Sequence, residues 1–412
     1  MFSRRQVVTL TALARNILRS PRSRQSTCAS DFPRPAHRSV PRTLLEYSRL
    51  QSAVPTQPSN PKLLRVAIIG QPNVGKSTLV NQLMRWKVCA VSSKVHTTRH
   101  NAKAIFVNGE TQIVILDTPG IVDLNHGRKH HLEASMIVDP EHALLNADLV
   151  AVMVDASDHW RRHMLDEETL RLLEYNAQLT SVLIVNKVDL LRSKRQILEF
   201  THSLTGGVVG GAATNREKIV KKKLSPEVLF ARMEEPLKTE TADLQKEALD
   251  GMGVQKQEGQ DEHKNCWRNF SRVFMISALN DDGVNDIRNF LLQSAKPSEW
   301  MYPLELVTDQ NPHELATLIV REKVLNHLPR DVPYNLSVRV AGWDLDSAGV
   351  LHIVLEIIGK NTRHVKYILG NGGTMIKAVA AESRQDLAAT FRSDVSLKLV
   401  VKTESARAKT GV

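Results

Sequence analysis

The sequence predicts an α/β domain followed by a small α+β domain, and three observations carry that expectation. Residues 63–84 read as a buried strand, a glycine-rich turn and a helix. Four further apolar runs, at 113–116, 149–155, 181–185 and 273–276, are strand-sized, and three of them lead into short polar motifs. After Pro297 and Pro303 the composition changes, and short helices and alternating strands surround a second glycine loop. A chain of 412 residues with 42% hydrophobic content suits roughly two to four domains with packed cores. Its longest apolar runs fall well short of the ~18 residues a membrane span needs, which leaves only peripheral membrane contact open. The formal charge of +11 favours a polyanionic partner.

Part of that charge lies at the N-terminus. Residues 1–45 carry Arg4, Arg5, Arg15, Arg19, Arg22, Arg24, Arg34, Arg38 and Arg42 against Asp31 alone. Val7, Val8, Leu10, Leu13, Ile17 and Leu18 could line one side of a helix. An arginine-rich, serine-containing, acid-poor leader is the composition of a mitochondrial transit peptide, with a disordered RNA-binding arm as the alternative. Cys28, Cys89 and Cys266 show no pairing or metal-site spacing, as expected in a reducing compartment.

The strand Leu63–Ile69 runs into Gly70-Gln71-Pro72-Asn73-Val74-Gly75-Lys76-Ser77, which fits G-x-x-x-x-G-K-[S/T], and Thr78–Met84 follows with helical character. Backbone N–H groups of such a loop and its helix surround phosphates. Gly70, Asn73, Val74, Gly75, Lys76, Ser77 and Thr78 are the expected contacts, with Lys76 on the β- and γ-phosphates and the Ser77 hydroxyl on Mg²⁺. Ile113–Leu116 ends in Asp117-Thr118-Pro119-Gly120, where Asp117 can hold Mg²⁺ through water and the Gly120 N–H can meet the γ-phosphate. Leu149–Asp155 is a third strand, followed by a helix near Asp166–Tyr175. Ser181–Val185 delivers Asn186-Lys187-Val188-Asp189. The Asp189 carboxylate matches guanine N1–H and N2, donors that adenine lacks. Asn186 would bond the base or brace the loop, and the Lys187 stem would cover the ring. Val273–Ile276 leads to Ser277-Ala278-Leu279, where the Ala278 N–H can donate to guanine O6. Together these motifs predict GTP and GDP as ligands with Mg²⁺.

The pattern resembles the Era-type GTPases. Val95-His96-Thr97-Thr98-Arg99-His100 is similar to the T-T-R-H those proteins place between the two phosphate motifs. The resemblance implies that Thr98, with Thr97 as the alternative, completes the Mg²⁺ shell, and that Lys76, Thr98 and Gly120 serve catalysis. Ras-like enzymes orient water with a glutamine after the D-x-x-G glycine, but Ile121 stands there, so hydrolysis must be slow or assisted. In several relatives an asparagine at the position of Asn73 helps bind K⁺; shaping the turn is the equally weighted alternative. His126, Arg128, Lys129, His130 and His131 read as a solvated switch segment and not as a metal site.

Past residue 311 the reading is a helix from Asn311-Pro312 to Leu328, strands at Asn335–Val340 and Val350–Ile358, and a helix at Arg363–Leu369. The loop Gly370-Asn371-Gly372-Gly373, a helix from Thr374 and a strand at Val395–Val401 complete it. A G-x-x-G loop in this order resembles a type II KH domain, whose glycines let the backbone approach RNA phosphates. Lys366, Gly370, Asn371, Gly372, Gly373 and Lys377 are the expected RNA contacts. Asn371 and Gly372 lack the basic residue many such loops carry, and the chain stops soon after Lys402 without the acidic, aromatic tail of many bacterial relatives.

The expected organisation is therefore a transit peptide at 1–45, an α/β P-loop GTPase domain at 62–299 with a mobile insertion at about 204–265, and a KH-like domain at 311–403. The resemblance implies a monomeric, RNA-binding GTPase of the mitochondrial matrix that assembles the small ribosomal subunit on its rRNA. Peripheral contact with the inner membrane is compatible with this reading. The rival readings are a GTPase of tRNA modification and a membrane-associated signalling GTPase whose C-terminal domain binds protein.

Overall fold

The computed structural model describes residues 38–91, 102–118, 120, 141–158, 162–191, 193–213, 265–329 and 332–404. The expected leader up to residue 37, Thr97, Thr98, Ile121, the histidine-rich segment and residues 214–264 of the expected insertion lie outside them.

Helix α1 (Leu44–Ser52) precedes β1 (Lys62–Ile69), α2 (Lys76–Met84), β2 (Ala102–Asn108) and β3 (Thr111–Asp117). Then come β4 (Leu149–Asp155), α3 (Glu167–Tyr175), β5 (Thr180–Asn186) and α4 (Lys194–Thr205). A short hairpin, β6 (Val208–Val209) and β7 (Ala212–Ala213), leads on to β8 (Phe270–Met275), α5 (Val284–Ser294) and β9 (Lys296–Pro297). The main sheet has the order β2-β3-β1-β4-β5-β8, with β9 pairing the start of β1. β3, β1, β4, β5 and β8 pair in parallel, and β2 lies antiparallel to β3 at the edge.

A parallel sheet covered on both faces is apolar at successive positions, and β1 shows how its residues divide. Leu64, Val66 and Ile68 enter one core with α2 and α5, while Leu63, Ala67 and Ile69 enter a second core that includes Leu172, Leu173 and Phe200 of α3 and α4. Because all strand C-termini in the parallel part end together, Gly70, Asp117, Asp155, Asn186 and Ser277 are delivered to one edge of the sheet. Ligands in open α/β folds bind at this edge.

The C-terminal unit consists of α6 (Pro312–His327), β10 (Leu336–Leu345), β11 (Leu351–Gly359), α7 (Thr362–Leu369), α8 (Thr374–Phe391) and β12 (Val395–Thr403). β10 pairs antiparallel and β12 parallel with the central β11. Leu351, Ile353, Leu355 and Ile357 alternate into its core, as period-two patterning requires. The first core is continuous with this unit, joining Val88 and Cys89 of the first domain to Leu315, Ile319 and Leu387.

Two expected boundaries need correction. Residues 38–45, assigned to the leader from their arginines, are part of the folded body: Val40 is fully buried, and Ser39 bonds backbone to backbone with Glu305. The Trp343 indole also donates to the Arg42 carbonyl at 2.7 Å. The expected mobile insertion starts too early, because Leu204 is fully buried and Gly210 donates to the Phe270 carbonyl beside the hairpin.

Candidate nucleotide site and its link to the C-terminal unit

Gly70 leaves β1 with φ of +149° and Gly75 precedes α2 with φ of +103°, conformations that residues with a Cβ rarely adopt. A methyl group on Gly70 would lie 2.3 Å from the Met153 carbonyl oxygen, and one on Gly75 only 2.4 Å from Asn186 Nδ2. Asn73 sits in the left-handed region, with φ of 63°, a conformation asparagine tolerates well. The turn-shaping role thus fits Asn73, and its side chain is exposed, as a cation contact also requires.

Lys76 is buried, and its ammonium donates to the carbonyls of Gly70 at 2.9 Å and Gln71 at 3.0 Å. Burial pushes its pKa down to about 8, opposed by the charges of Asp117 and Asp166. The Ser77 hydroxyl donates to Asp117 Oδ2 at 2.7 Å. Asp117 is fully buried at the end of β3, and burial raises its pKa against the opposing pull of Ser77, Lys76 and Cys89. Its Oδ1 has no hydrogen bond of ordinary geometry. A buried, unmatched carboxylate oxygen beside a hydroxyl is a hard-oxygen donor set that fits Mg²⁺. Thr118 anchors the turn by donating to the Ile68 carbonyl at 2.6 Å, and a methyl group on Gly120 would meet Pro72 at 2.7 Å. The two phosphate motifs thus touch at the Pro72–Gly120 contact.

Asn186 resolves the two roles left open for it. It is buried, its Nδ2 donates to the Val74 carbonyl at 2.7 Å, and its Oδ1 accepts from the Ala278 N–H at 2.9 Å. It is a brace between the phosphate loop and the Ser277–Leu279 loop. The Ala278 donor expected for a base oxygen is engaged in this brace. Lys187 has φ of 62° and its ammonium pairs with Asp155 Oδ2 at 2.6 Å, which fixes its stem across the site. Asp189 is exposed in the turn that follows β5. Ser277 is buried, and its Oγ makes no hydrogen bond within the protein. Thr78 and Val74 complete the loop and its helix, Val74 being buried.

A second set of contacts joins this site to the C-terminal unit. The loop that follows α2 and leads toward Thr98 is docked on α6 and α8. Lys87 reaches Glu322 at 3.0 Å and Asp386 at 2.5 Å, and the Val91 N–H donates to Glu322 Oε2 at 2.8 Å. Lys323 pairs with the same Glu322 and with Asp386, at 3.2 and 2.6 Å. Glu322 is 3% exposed, so its charge is stabilised by these three donors. The Trp86 indole donates to the Thr390 carbonyl, and Thr390 donates to that of Lys87. At the far end of α8, Gly370, Gly372 and Gly373 all have positive φ, and the loop opens the 18-residue helix without a side-chain cap. Lys366, Asn371, Gly372 and Lys377 are exposed around it.

A family model described as 50S ribosome-binding GTPase matches residues 65–187. The chain is 40% identical to "GTPase Era, mitochondrial" of Salmo salar over 85% of its length and 78% of that protein. It is 32% identical to "GTPase Era" of Bradyrhizobium sp. strain ORS 278, covering 82% of this chain and 88% of that one. Among solved structures, a variant of Era from Aquifex aeolicus bound to GDP and aluminium fluoride aligns with a TM-score of 0.60 at 26% identity. An Era complex with MgGDPNP and nucleotides 1506–1542 of 16S ribosomal RNA aligns with a TM-score of 0.60 at 25% identity. Each alignment covers 84% of this chain and 95% of the other.

Proposed function

The chain belongs to the Era family of GTPases, and from that premise we propose that it is a GTP-controlled RNA-binding switch that assembles the small ribosomal subunit of mitochondria. As a member of that family it is a GTP-hydrolysing enzyme, and GTP, GDP and Mg²⁺ fit its site. In the proposed roles, Lys76 exchanges its two loop carbonyls for the β- and γ-phosphates, and Ser77, Asp117 and Thr98 hold Mg²⁺. That ion supplies positive charge against the phosphate oxygens. Gly120, pressed on Pro72, presents its N–H toward the γ-phosphate, and Asp189 reads guanine beside Lys187. With Ile121 after Gly120, no side chain there orients water, which makes the enzyme a slow timer. A K⁺ ion at Asn73 would supply further positive charge.

The C-terminal unit is proposed to be a type II KH domain. The observation that carries the RNA reading is the Gly370–Gly373 loop opening α8, where exposed Asn371 and Gly372 let a phosphate backbone approach beside exposed Lys366 and Lys377. The Era relative aligned over 95% of its length was solved with 16S ribosomal RNA, which supports the same partner class here. The relatives named mitochondrial support a mitochondrial address, in the matrix or against the inner membrane. No helix among the described residues is long and apolar enough to cross a membrane. The burial of Val40 supports placing the end of a transit peptide ahead of Arg38.

Docking of residues 87–91 on Glu322 gives the switch a route. GTP ordering of the segment containing Thr98 pulls on Val91 and hence on α6 and α8. The RNA reading is tested by crosslinking RNA in mitochondria to the wild type and to Gly372→Asp and sequencing what is bound. Small-subunit rRNA enriched by the wild type and lost in the variant supports it; equal recovery with both removes the glycine loop from RNA binding.

A further inference from the structure

Four arginines from four separate elements meet at the crease between the domains, at the opposite end of α8 from the glycine loop. Arg38 arrives on the N-terminal segment and donates to the Ile105 carbonyl at 2.5 Å. Arg288 of α5 donates to the Leu83 carbonyl at 3.0 Å and stacks 4.9 Å from the ring centre of Phe106, the next residue along β2. Arg85, the C-cap of α2, reaches Asn285 one turn before Arg288. Arg392, the C-cap of α8, lies 3.3 Å from the ring centre of Trp86.

This grouping works against the fold that makes it. Arg38 is pushed down to about 10 by burial and by the charges of Arg288 and Arg392. Arg288 is lowered by burial and by Arg85, with Asp281 opposing. A guanidinium stays protonated at such values, so the cations repel one another at neutral pH. Among the described residues no carboxylate lies within ion-pair distance of Arg38 or Arg288. The Nε of each is also buried without a hydrogen-bond partner. Each guanidinium carries five donors, of which the carbonyls of Ile105 and Leu83 take one apiece. Mutually repelling cations, with Arg85 and Arg392 exposed beside the more buried pair, are the complement of a polyvalent oxyanion.

We propose that the Arg38–Arg85–Arg288–Arg392 crease is a second contact site for RNA, gripping phosphodiester groups of a strand whose other end lies at the glycine loop. The 18 residues of α8 separate the two sites by about 27 Å, so only an RNA long enough to reach both engages the crease. An exposed arginine stacked on a half-buried tryptophan suits a flexible single strand. The inference rests on the RNA reading of the C-terminal unit but not on which RNA is bound.

The test is binding of fluorescent single-stranded RNA to the full chain across a KCl series, with a 5-mer and a 25-mer. The variant is Arg85→Asn with Arg392→Asn. Both positions have left-handed backbones, φ of 51° and 47°, which asparagine accepts, and unchanged melting and GTP turnover confirm the fold. The crease predicts a 25-mer affinity reduced tenfold or more at low salt. It also predicts a slope of log affinity against log salt smaller by about 1.4, that is two phosphates at ~0.7 each, with the 5-mer unaffected. An unchanged 25-mer slope and affinity overturn the crease. Gly372→Asp separates the two ideas: if it abolishes 5-mer binding while the arginine variant changes nothing, the crease alone fails. If neither variant alters any RNA, both readings fail.

Discussion

Replacing Asn186 with alanine isolates the brace that holds the nucleotide loops together. The side chain makes two buried hydrogen bonds, to the Val74 carbonyl and from the Ala278 N–H. Each bond contributes about 1 kcal/mol net, and each buried group left unmatched costs about 1–3 kcal/mol. Asn186→Ala should therefore destabilise the nucleotide-free protein by about 2–5 kcal/mol, seen as a lower urea midpoint at unchanged slope. GDP affinity should fall by more than tenfold, because the loops carrying Gly75 and Ser277 both lose their tether. Asn186→Asp adds a sign test. Its carboxylate can still accept from Ala278 but turns an oxygen toward the Val74 carbonyl, so burial and the carbonyl dipole raise its folded pKa above the unfolded value of about 3.9. Protonation restores the donor, so the deficit of this variant must shrink as pH falls through the folded pKa and be full above it. An Asn186→Ala protein within 0.5 kcal/mol of wild type, with normal GDP binding, would refute the brace.

Gly120→Ala should lose GTP turnover at least a hundredfold while remaining folded, because the added methyl meets Pro72 at 2.7 Å; single-turnover hydrolysis with a melting control checks it. The lowered Lys76 pKa of about 8 predicts that nucleotide binding takes up about 0.75 proton at pH 8.5 and about 0.1 at pH 7. Calorimetry in buffers of different ionisation enthalpy measures this, and the sign follows because phosphates favour the charged amine that burial disfavours. The same shift penalises folding below pH 8 and is relieved as pH rises toward the ordinary lysine value, since the unfolded chain then binds the extra proton. A Lys87→Ala, Asp386→Ala double-mutant cycle should show about 1–2 kcal/mol of coupling. That is below the value for a fully buried pair because both side chains retain about a fifth of their exposure.

The motifs of the nucleotide site were legible because each is local: a strand end followed by the four to eight residues it delivers. Their roles were less so. Asn186 was readable only as base contact or brace, since the Val74 and Ala278 groups it joins come from distant strands. The Lys187–Asp155 pair was likewise invisible, although both residues end recognisable strands. β2 is hard to read because its apolar stretch, Ala104–Val107, is short, and its outer edge is bonded to residues 307–309, some 200 positions away. The elements after residue 311 were readable from period and turn residues, and β10 merely proved longer, through a bulge between Val340 and Gly342. Residues 38–45 read as leader from composition, because arginine content says nothing about which carbonyl each arginine finds. The Lys87–Glu322–Asp386 network and the arginine crease join residues hundreds of positions apart, and no period or spacing announces such contacts.

The central claim is that the nucleotide state governs RNA binding through residues 87–91. The direct measurement is the affinity of the full chain for a small-subunit rRNA fragment with a non-hydrolysable GTP analogue and with GDP at one salt concentration. The account predicts at least about a fivefold difference, the lower end of ordinary coupling between sites, reduced in Glu322→Gln. Equal affinities in the two nucleotide states would contradict it and leave an RNA-binding GTPase whose two activities are not coupled.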